Sequence, residues 1–313
     1  MTKRLKTALA VRGHTQPLFD GTVKPRAFEL EFEEVPIIIK AFRRMVRGLE
    51  FDISEMAMTT YLTARAHGTK FTAIPVFPMR AFHHGAIVYN TQSGIRSPKD
   101  LEGRRVGVNR GYTVTTGVWV RCILQHEYGV DLSKVTWVLS GDEHVAEYRP
   151  PANVVSIEPG RTLEDLLTAG DIVAAIGVQV ESPDVKPLIP NAREAGFEAL
   201  RGRGLYPINH TVVVRNDLLD AHPTLAPDLF DAFAEAKRIY VRRLREGHAD
   251  AASPPDPVHQ RVMDITGDPL PYGIEPNRQA LEGIVQYCVE QGILSRPVAI
   301  EELFPENTRT LTA

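Results

Sequence analysis

Residues Phe51–Arg80 read FDISEMAMTTYLTARAHGTKFTAIPVFPMR, and this stretch decides the fold class. Phe51–Ile53 has the composition of a short buried strand. Thr59–His67 has helical spacing and closes on Gly68, a residue suited to the left-handed position after a helix. Phe71–Phe77 is apolar and β-branched again. Strand, helix and strand in so short a span, when the alternation continues along the chain, mean an α/β protein.

The pattern repeats outward in both directions. Leu5–Val11 reads as a strand, and Phe28–Val35 alternates Phe28, Leu30 and Phe32 with Glu29, Glu31 and Glu33, the period-two mark of a strand. Over Ile37–Leu49 the spacing becomes helical. Ile37, Ile38, Ala41, Phe42, Met45, Val46 and Leu49 share a stripe, while Lys40, Arg43, Arg44 and Arg47 form the opposite face, expected to be solvated. Further strands are expected at Ile87–Tyr89, Arg105–Val108, Val135–Leu139, Ile172–Ile176 and Thr211–Val214. Helices are expected at Thr113–Tyr128, Thr162–Ala169, Asp228–Arg245 and Asn277–Gln291. Gly202-Arg203-Gly204 and Ala249–Pro257 read as loops. The chain is therefore α/β with mainly parallel sheets, and in such sheets ligands bind beyond the carboxyl ends of the strands.

Composition narrows the class. The 313 residues suit two lobes. Lys and Arg total 36 against 39 Asp and Glu, a net charge of −3 that argues against a nucleic-acid partner. Two cysteines, Cys122 and Cys288, cannot make a disulfide framework or a four-cysteine zinc site. No apolar run approaches the roughly 20 residues of a membrane span. The basic N-terminus is followed only by Ala8–Val11 before Arg12, Gly13 and His14, too short an apolar run for a secretory signal, so the expected compartment is the cytoplasm. GxGxxG, Walker-type GxxxxGK[ST], GxSxG and HExxH motifs are absent.

The strand ends carry the candidate chemistry. The turn Asn109–Thr116 precedes a helix, whose first N–H groups and dipole attract carboxylates. There Arg110, Tyr112, Thr113, Thr115 and Thr116 are candidate substrate ligands, against the plainer reading that Thr113 caps its own helix. Arg80 offers a planar fork for a carboxylate, and His83 and His84 can move protons near neutral pH. Adjacent residues on extended chain point to opposite sides, so only one of the two histidines is expected to face the cleft. Glu55, expected just after its strand, and His210, beside a valine-rich strand, complete the catalytic candidates. Glu181 and Tyr206 are further binding candidates. His14, Glu55, His84 and His210 have metal-ligand atom types at a spacing that fits no short motif; the sequence requires no cofactor and is compatible with a divalent metal ion. The segment with Asp142, Glu143, His144 and Arg149 is unassigned and reads as a lid.

Five blocks of the chain carry a family resemblance: FDISEMAMTTYL (Phe51–Leu62), IPVFPMRAFHHGAIVYN (Ile74–Asn90), SPKDLEGRRVGV (Ser97–Val108), VWVRCILQHEYGVD (Val118–Asp131) and GLYPINHTVVVRNDLL (Gly204–Leu219). The third is similar to the segment that begins the second lobe of type II periplasmic binding proteins. The other four, in this order, resemble the 4,5-dihydroxyphthalate decarboxylase family. At Arg110-Gly111 the chain departs from the acidic or aromatic pair expected there. The resemblance implies a two-lobed fold, with 1–87 and 213–313 in one lobe, 88–212 in the other, two crossovers and a ligand cleft between. It implies non-oxidative decarboxylation of a hydroxylated aromatic ortho-dicarboxylate, through protonation of the ring carbon bearing the carboxylate. Arg80 and Thr113–Thr116 would then bind carboxylate, and His83 or His84, with His210 and Glu55, would move protons. The alternatives are a solute-binding or sensing protein for a small aromatic carboxylate, and an enzyme of cofactor-precursor synthesis. Partners are accordingly a small aromatic carboxylate and a second copy of the chain, with no membrane.

Overall fold

The computed structural model describes residues 3–248 and 256–313. Its strands form two mixed sheets. The first contains β1 (Lys3–Ala8), β2 (Phe28–Phe32), β3 (Ile53–Ala57), β4 (Phe71–Arg80) and β11 (Ile208–Arg215), in the order β2-β1-β3-β11-β4. The second contains β5 (Ile87–Asn90), β6 (Arg105–Val108), β7 (Thr136–Leu139), β8 (Val154–Ser156), β9 (Ala174–Ile176) and β10 (Val185–Pro187), in the order β10-β5-β9-β6-β7-β8. β1, β2 and β3 run parallel, as do β6, β7, β8 and β9, whereas β11, β5 and β10 pair antiparallel.

Helices cover the sheets: α1 (Gln16–Phe19), α2 (Ile39–Gly48), α3 (Met58–Ala66), α4 (Thr115–Tyr128), α5 (Leu163–Ala169), α6 (Ala192–Arg203), α7 (Asn216–Ala221), α8 (Leu225–Arg245), α9 (Asp256–Thr266) and α10 (Arg278–Glu290). None is long and apolar enough to cross a membrane among the described residues. The chain leaves the first sheet after Arg80, enters the second at Ile87 and has returned by Ile208, so the expected boundary at 212/213 falls inside β11. The expected loop at 249–257 lies outside the described residues except Asp256 and Pro257, which begin α9. Gly202 and Arg203 belong to α6 rather than to a loop, and Gly204 ends that helix in the left-handed conformation.

Burial explains the local choices. β2 sits at an edge and keeps its alternation, with Phe28 buried and the glutamates outward, where charge also discourages edge pairing. β3 is central and every residue of it is buried, so it shows no alternation. That is why the strand begins later than the sequence suggests: Ser54 and Glu55 lie in its interior. One large cluster, including Trp119 and Trp137, spans the seam between the sheets. α4, which belongs to the second sheet, donates Trp119 Nε1–H to the carbonyl of Ile208 in β11 at 3.0 Å. Cys122 and Cys288 are free and buried.

Candidate active site

The middle of β3 brings together groups from three distant parts of the chain. Glu55 is fully buried, a position a carboxylate tolerates only with several donors around it. Here Arg12 grips it with two parallel bonds, Nη2–Oε1 at 2.7 Å and Nη1–Oε2 at 2.9 Å. The Ala10 N–H reaches Oε2 at 3.1 Å, and His210 Nδ1 lies 2.5 Å from Oε1. Burial pushes the Glu55 pKa up, but the Arg12 charge and the His210 contacts outweigh it and hold the group below the usual carboxylate range. An ionised Glu55 accepts only, so His210 carries its proton on Nδ1 and presents Nε2 away from the pair. The His210 side chain keeps 10% of its surface exposed. This is the arrangement of an oriented acid–base imidazole.

Around this pair the other predicted residues divide. His83 Nε2 bonds Asn209 Oδ1 at 3.0 Å, next to His210 in the chain, and burial lowers its pKa to about 4. His84 turns the other way, to Glu127 on α4 at 3.0 Å, so it leaves the catalytic set. The adjacent histidines do diverge. Arg80 is held largely by the protein itself: its Nη atoms donate to the carbonyls of Tyr206 and Pro271 and to Asn277 Oδ1, while its buried Nε has no partner. Tyr206 packs its ring on Phe82 and has a buried hydroxyl without a partner. Glu181 lies exposed beyond β9.

The turn before α4 is a correction. Its donors are taken by the protein's own Glu143, which accepts the N–H groups of Tyr112 and Thr113 and the Thr113 hydroxyl. Gly111 makes this approach feasible, since a Cβ there would lie 2.5 Å from the Glu143 carboxylate. Thr113 and Thr115 also meet Thr59 at the start of α3: the Thr59 hydroxyl donates to the Thr113 carbonyl at 2.6 Å and lies 2.7 Å from Thr115 Oγ1. They close the seam between the sheets. Thr116 is half-buried one residue into α4.

The proposed metal ligands do not converge. His14 bonds the carbonyl of Pro78 at 2.9 Å and His84 faces Glu127, which leaves only Glu55 and His210 in contact. Among the described residues no group of three or more His, Cys, Asp or Glu could hold an ion.

Two cavities lie near the Glu55–His210 pair, one connected to it by Arg12 and the other by Phe42 beside His144, and neither is lined by Glu55 or His210 itself. One, of about 450 Å³, is lined by Arg12, His14, Pro78–Phe82, Gly85, Ala192, Arg193, Phe197, Tyr206, Val258 and His259. The other, of about 630 Å³, is lined by Ile37, Ile39, Lys40, Arg43, Arg44, Arg47, Glu50, Arg110 and His144. Phe42 stands between the second cavity and the pair, its ring 5.0 Å from that of His210 and 6.1 Å from that of His144. The basic face of α2 is thus no plain solvated surface: Arg110 and His144 of the second sheet's loops close over it. Sequence reasoning gave no role to Arg12 or Phe42, left Asn209 as a polar residue before its strand, and placed Glu143 only in an unassigned lid segment. Arg12 had a signal too, its place just past the first strand, two residues before His14.

Comparison with known proteins places the chain in a lineage. A curated 4,5-dihydroxyphthalate decarboxylase of Comamonas testosteroni is 32% identical, with 96% of each chain covered. The chain belongs to the 4,5-dihydroxyphthalate decarboxylase family. A second curated protein of that name, from Pseudomonas putida, is 34% identical over 57% of this chain and 72% of its own. The family model described as NMT1/THI5 like matches residues 45–149 of this decarboxylase-family chain. Among solved structures, the periplasmic aliphatic sulphonate binding protein SsuA from Escherichia coli superposes with a TM-score of 0.57 at 14% identity, covering 99% of this chain and 100% of its own. The desulfurization enzyme DSZB superposes with a TM-score of 0.53 at 16% identity, with 98% of each chain covered. The fold is that of the periplasmic binding proteins, as the sequence resemblance implied.

Proposed function

We propose that the protein decarboxylates a hydroxylated aromatic ortho-dicarboxylate, with 4,5-dihydroxyphthalate as the reference substrate, in the cytoplasm. The observation that carries this reading is the near end-to-end match to a curated protein of that name. In 4,5-dihydroxyphthalate each carboxylate-bearing carbon lies para to a hydroxyl. Water takes up the phenol proton, to return it at the end, and an electron pair moves to the carbon, which takes a proton that His210 Nε2, the nitrogen left free while Nδ1 faces Glu55, has first gained from water. The bond to the carboxylate then breaks, its electrons restore the aromatic ring, and carbon dioxide leaves with 3,4-dihydroxybenzoate as the other product. Substrate dianion and one proton thus give a monoanion and carbon dioxide.

Glu55 stays ionised and fixes the His210 tautomer, and Arg12 holds Glu55 in place. His83, tied to Asn209, steadies the chain entering β11. No step is routed through a metal, because the donors present do not assemble around one. The test is carbon dioxide release from 4,5-dihydroxyphthalate by the purified chain. His210→Gln is expected to lower kcat by about 10²–10⁴, the usual contribution of a general acid. Tight binding of the substrate by the unsubstituted chain without release would replace this reading with that of a binding protein.

A further inference from the structure

The cations of the two cavities differ in what they already hold. In the 450 Å³ cavity Arg12 is spent on Glu55 and the Arg80 Nη atoms on carbonyls and Asn277, which leaves Arg193 as the one lining cation without a hydrogen-bonded or ion-paired partner among the described residues, beside an unpartnered Arg80 Nε. In the 630 Å³ cavity only Arg44 is firmly neutralised, by Glu33 and Glu50. Arg43 lies 3.9 Å from the exposed Asp142. Arg47 donates to the carbonyls of Glu143 and His144, and Lys40, Arg47 and Arg110 have no carboxylate within ion-pair distance among the described residues. Clustering cations without counter-charges costs energy unless an anion answers them.

Three further features point to a ligand. Arg110 is presented by a left-handed residue, φ 70°, at the end of β6, where this class of sheet binds ligands. His144 is buried, lines the same cavity, and has an Nδ1 without any hydrogen-bond partner. Apart from Glu50, which pairs with Arg44, the remaining wall is apolar: Ile37, half exposed and among the few large hydrophobic side chains left open, faces the cavity with Ile39. A ring with two adjacent carboxylates matches a site with cations on one side and aliphatic carbon on the other.

We propose that the cavity formed by the basic face of α2 with Arg110 and His144 is the dicarboxylate-recognition subsite, in which Lys40, Arg43, Arg47 and Arg110 hold the vicinal carboxylates of the substrate. Phe42, its ring 5.0 Å from that of His210, stands between this cavity and the proton donor, so a substrate anchored there reaches His210 only as that ring swings aside. This inference rests on the decarboxylase reading for its substrate but not for its binding. Selection then comes from charge: a benzene ring with a single carboxylate leaves part of the cluster unanswered.

The test uses phthalate, which lacks the hydroxyls that drive decarboxylation, alongside 4,5-dihydroxyphthalate. Arg110→Gln and the double variant Lys40→Gln/Arg110→Gln are compared with Lys186→Gln, an exposed cation on β10. Calorimetric Kd for phthalate and KM for 4,5-dihydroxyphthalate are expected to rise at least tenfold in Arg110→Gln and further in the double variant. The expected change in kcat is below threefold, and Lys186→Gln should leave both constants unchanged. Carbon dioxide release by the unsubstituted chain, with KM and Kd unmoved in the variants, overturns the subsite and leaves the decarboxylase reading standing. Phthalate binding that depends on Arg110, without release from 4,5-dihydroxyphthalate, overturns the decarboxylase reading and supports the subsite. Neither binding nor release overturns both.

Discussion

Replacing Glu55 by glutamine keeps the shape of the side chain and removes its charge. In the structure four donors converge on the carboxylate: the Ala10 N–H, two Arg12 nitrogens and His210 Nδ1. The amide oxygen can serve Ala10 and one Arg12 nitrogen, but the amide NH₂ then faces the other Arg12 nitrogen and His210. The histidine escapes that clash by moving its proton from Nδ1 to Nε2, while Arg12, with only 15% of its side chain exposed, is left without a counter-charge. Breaking a buried pair in this way costs about 3–5 kcal/mol, a large part of the 5–15 kcal/mol typical of a folded domain. The wrong tautomer also costs catalysis, by about 10⁴ in the serine-protease case where a buried acid orients a histidine. Urea unfolding followed by the fluorescence of the buried Trp119 and Trp137, and carbon dioxide release at a temperature where the variant is still folded, separate the two effects. A Glu55→Gln variant with an unchanged unfolding midpoint and kcat within threefold of the parent would show that the Glu55–His210 pair does neither job.

Acid should unfold the protein early. Burial lowers the pKa of His14 from 6.5 to about 3, and those of His83, His144 and His259 to about 4. Because these folded values lie below the unfolded one, stability is complete above pH 6.5 and falls toward pH 4. Between those values the loss is about 1.4 kcal/mol per pH unit for each histidine, or about 6 kcal/mol per pH unit for the four together; urea midpoints that stay level from pH 7 to 5 would contradict this. Arg80→Ala should lower the unfolding temperature while KM for 4,5-dihydroxyphthalate stays within threefold, since its bonds are internal; a tenfold rise in KM would restore it as a ligand. Glu143→Ala strips the acceptor from the Tyr112 and Thr113 N–H groups in the turn before α4 and should cost about 1–3 kcal/mol, measured by urea unfolding, with no loss expected if Glu143 is idle there.

The sequence made the alternation of elements readable because helices and strands impose different apolar periods, and β6 is found at Arg105–Val108 as expected. What it hid depended on distant partners. Glu55 looked like the acid at a helix start because a carboxylate inside a strand contradicts the pattern; only Arg12 and His210 make it tolerable there. The α4 turn was legible as an anion site, but its anion arrives from Glu143, thirty residues away in the chain. The amphipathic character of α2 was plain, yet no local pattern reveals that Arg110 and His144 close over its charged face. The short edge strands β8 and β10 carry three residues each, too few for any period to register.

The strand order of the first sheet bears on how the molecule is made. β11 lies between β3 and β4, so those two strands cannot join each other and must wait, edges unpaired, while the ribosome adds the whole second sheet. At 5–20 residues per second that interval is on the order of ten seconds. During it the nascent chain has no Glu55–His210 pair and displays two open apolar edges, the state in which a chaperone or a neighbouring polysome product would find it most adhesive.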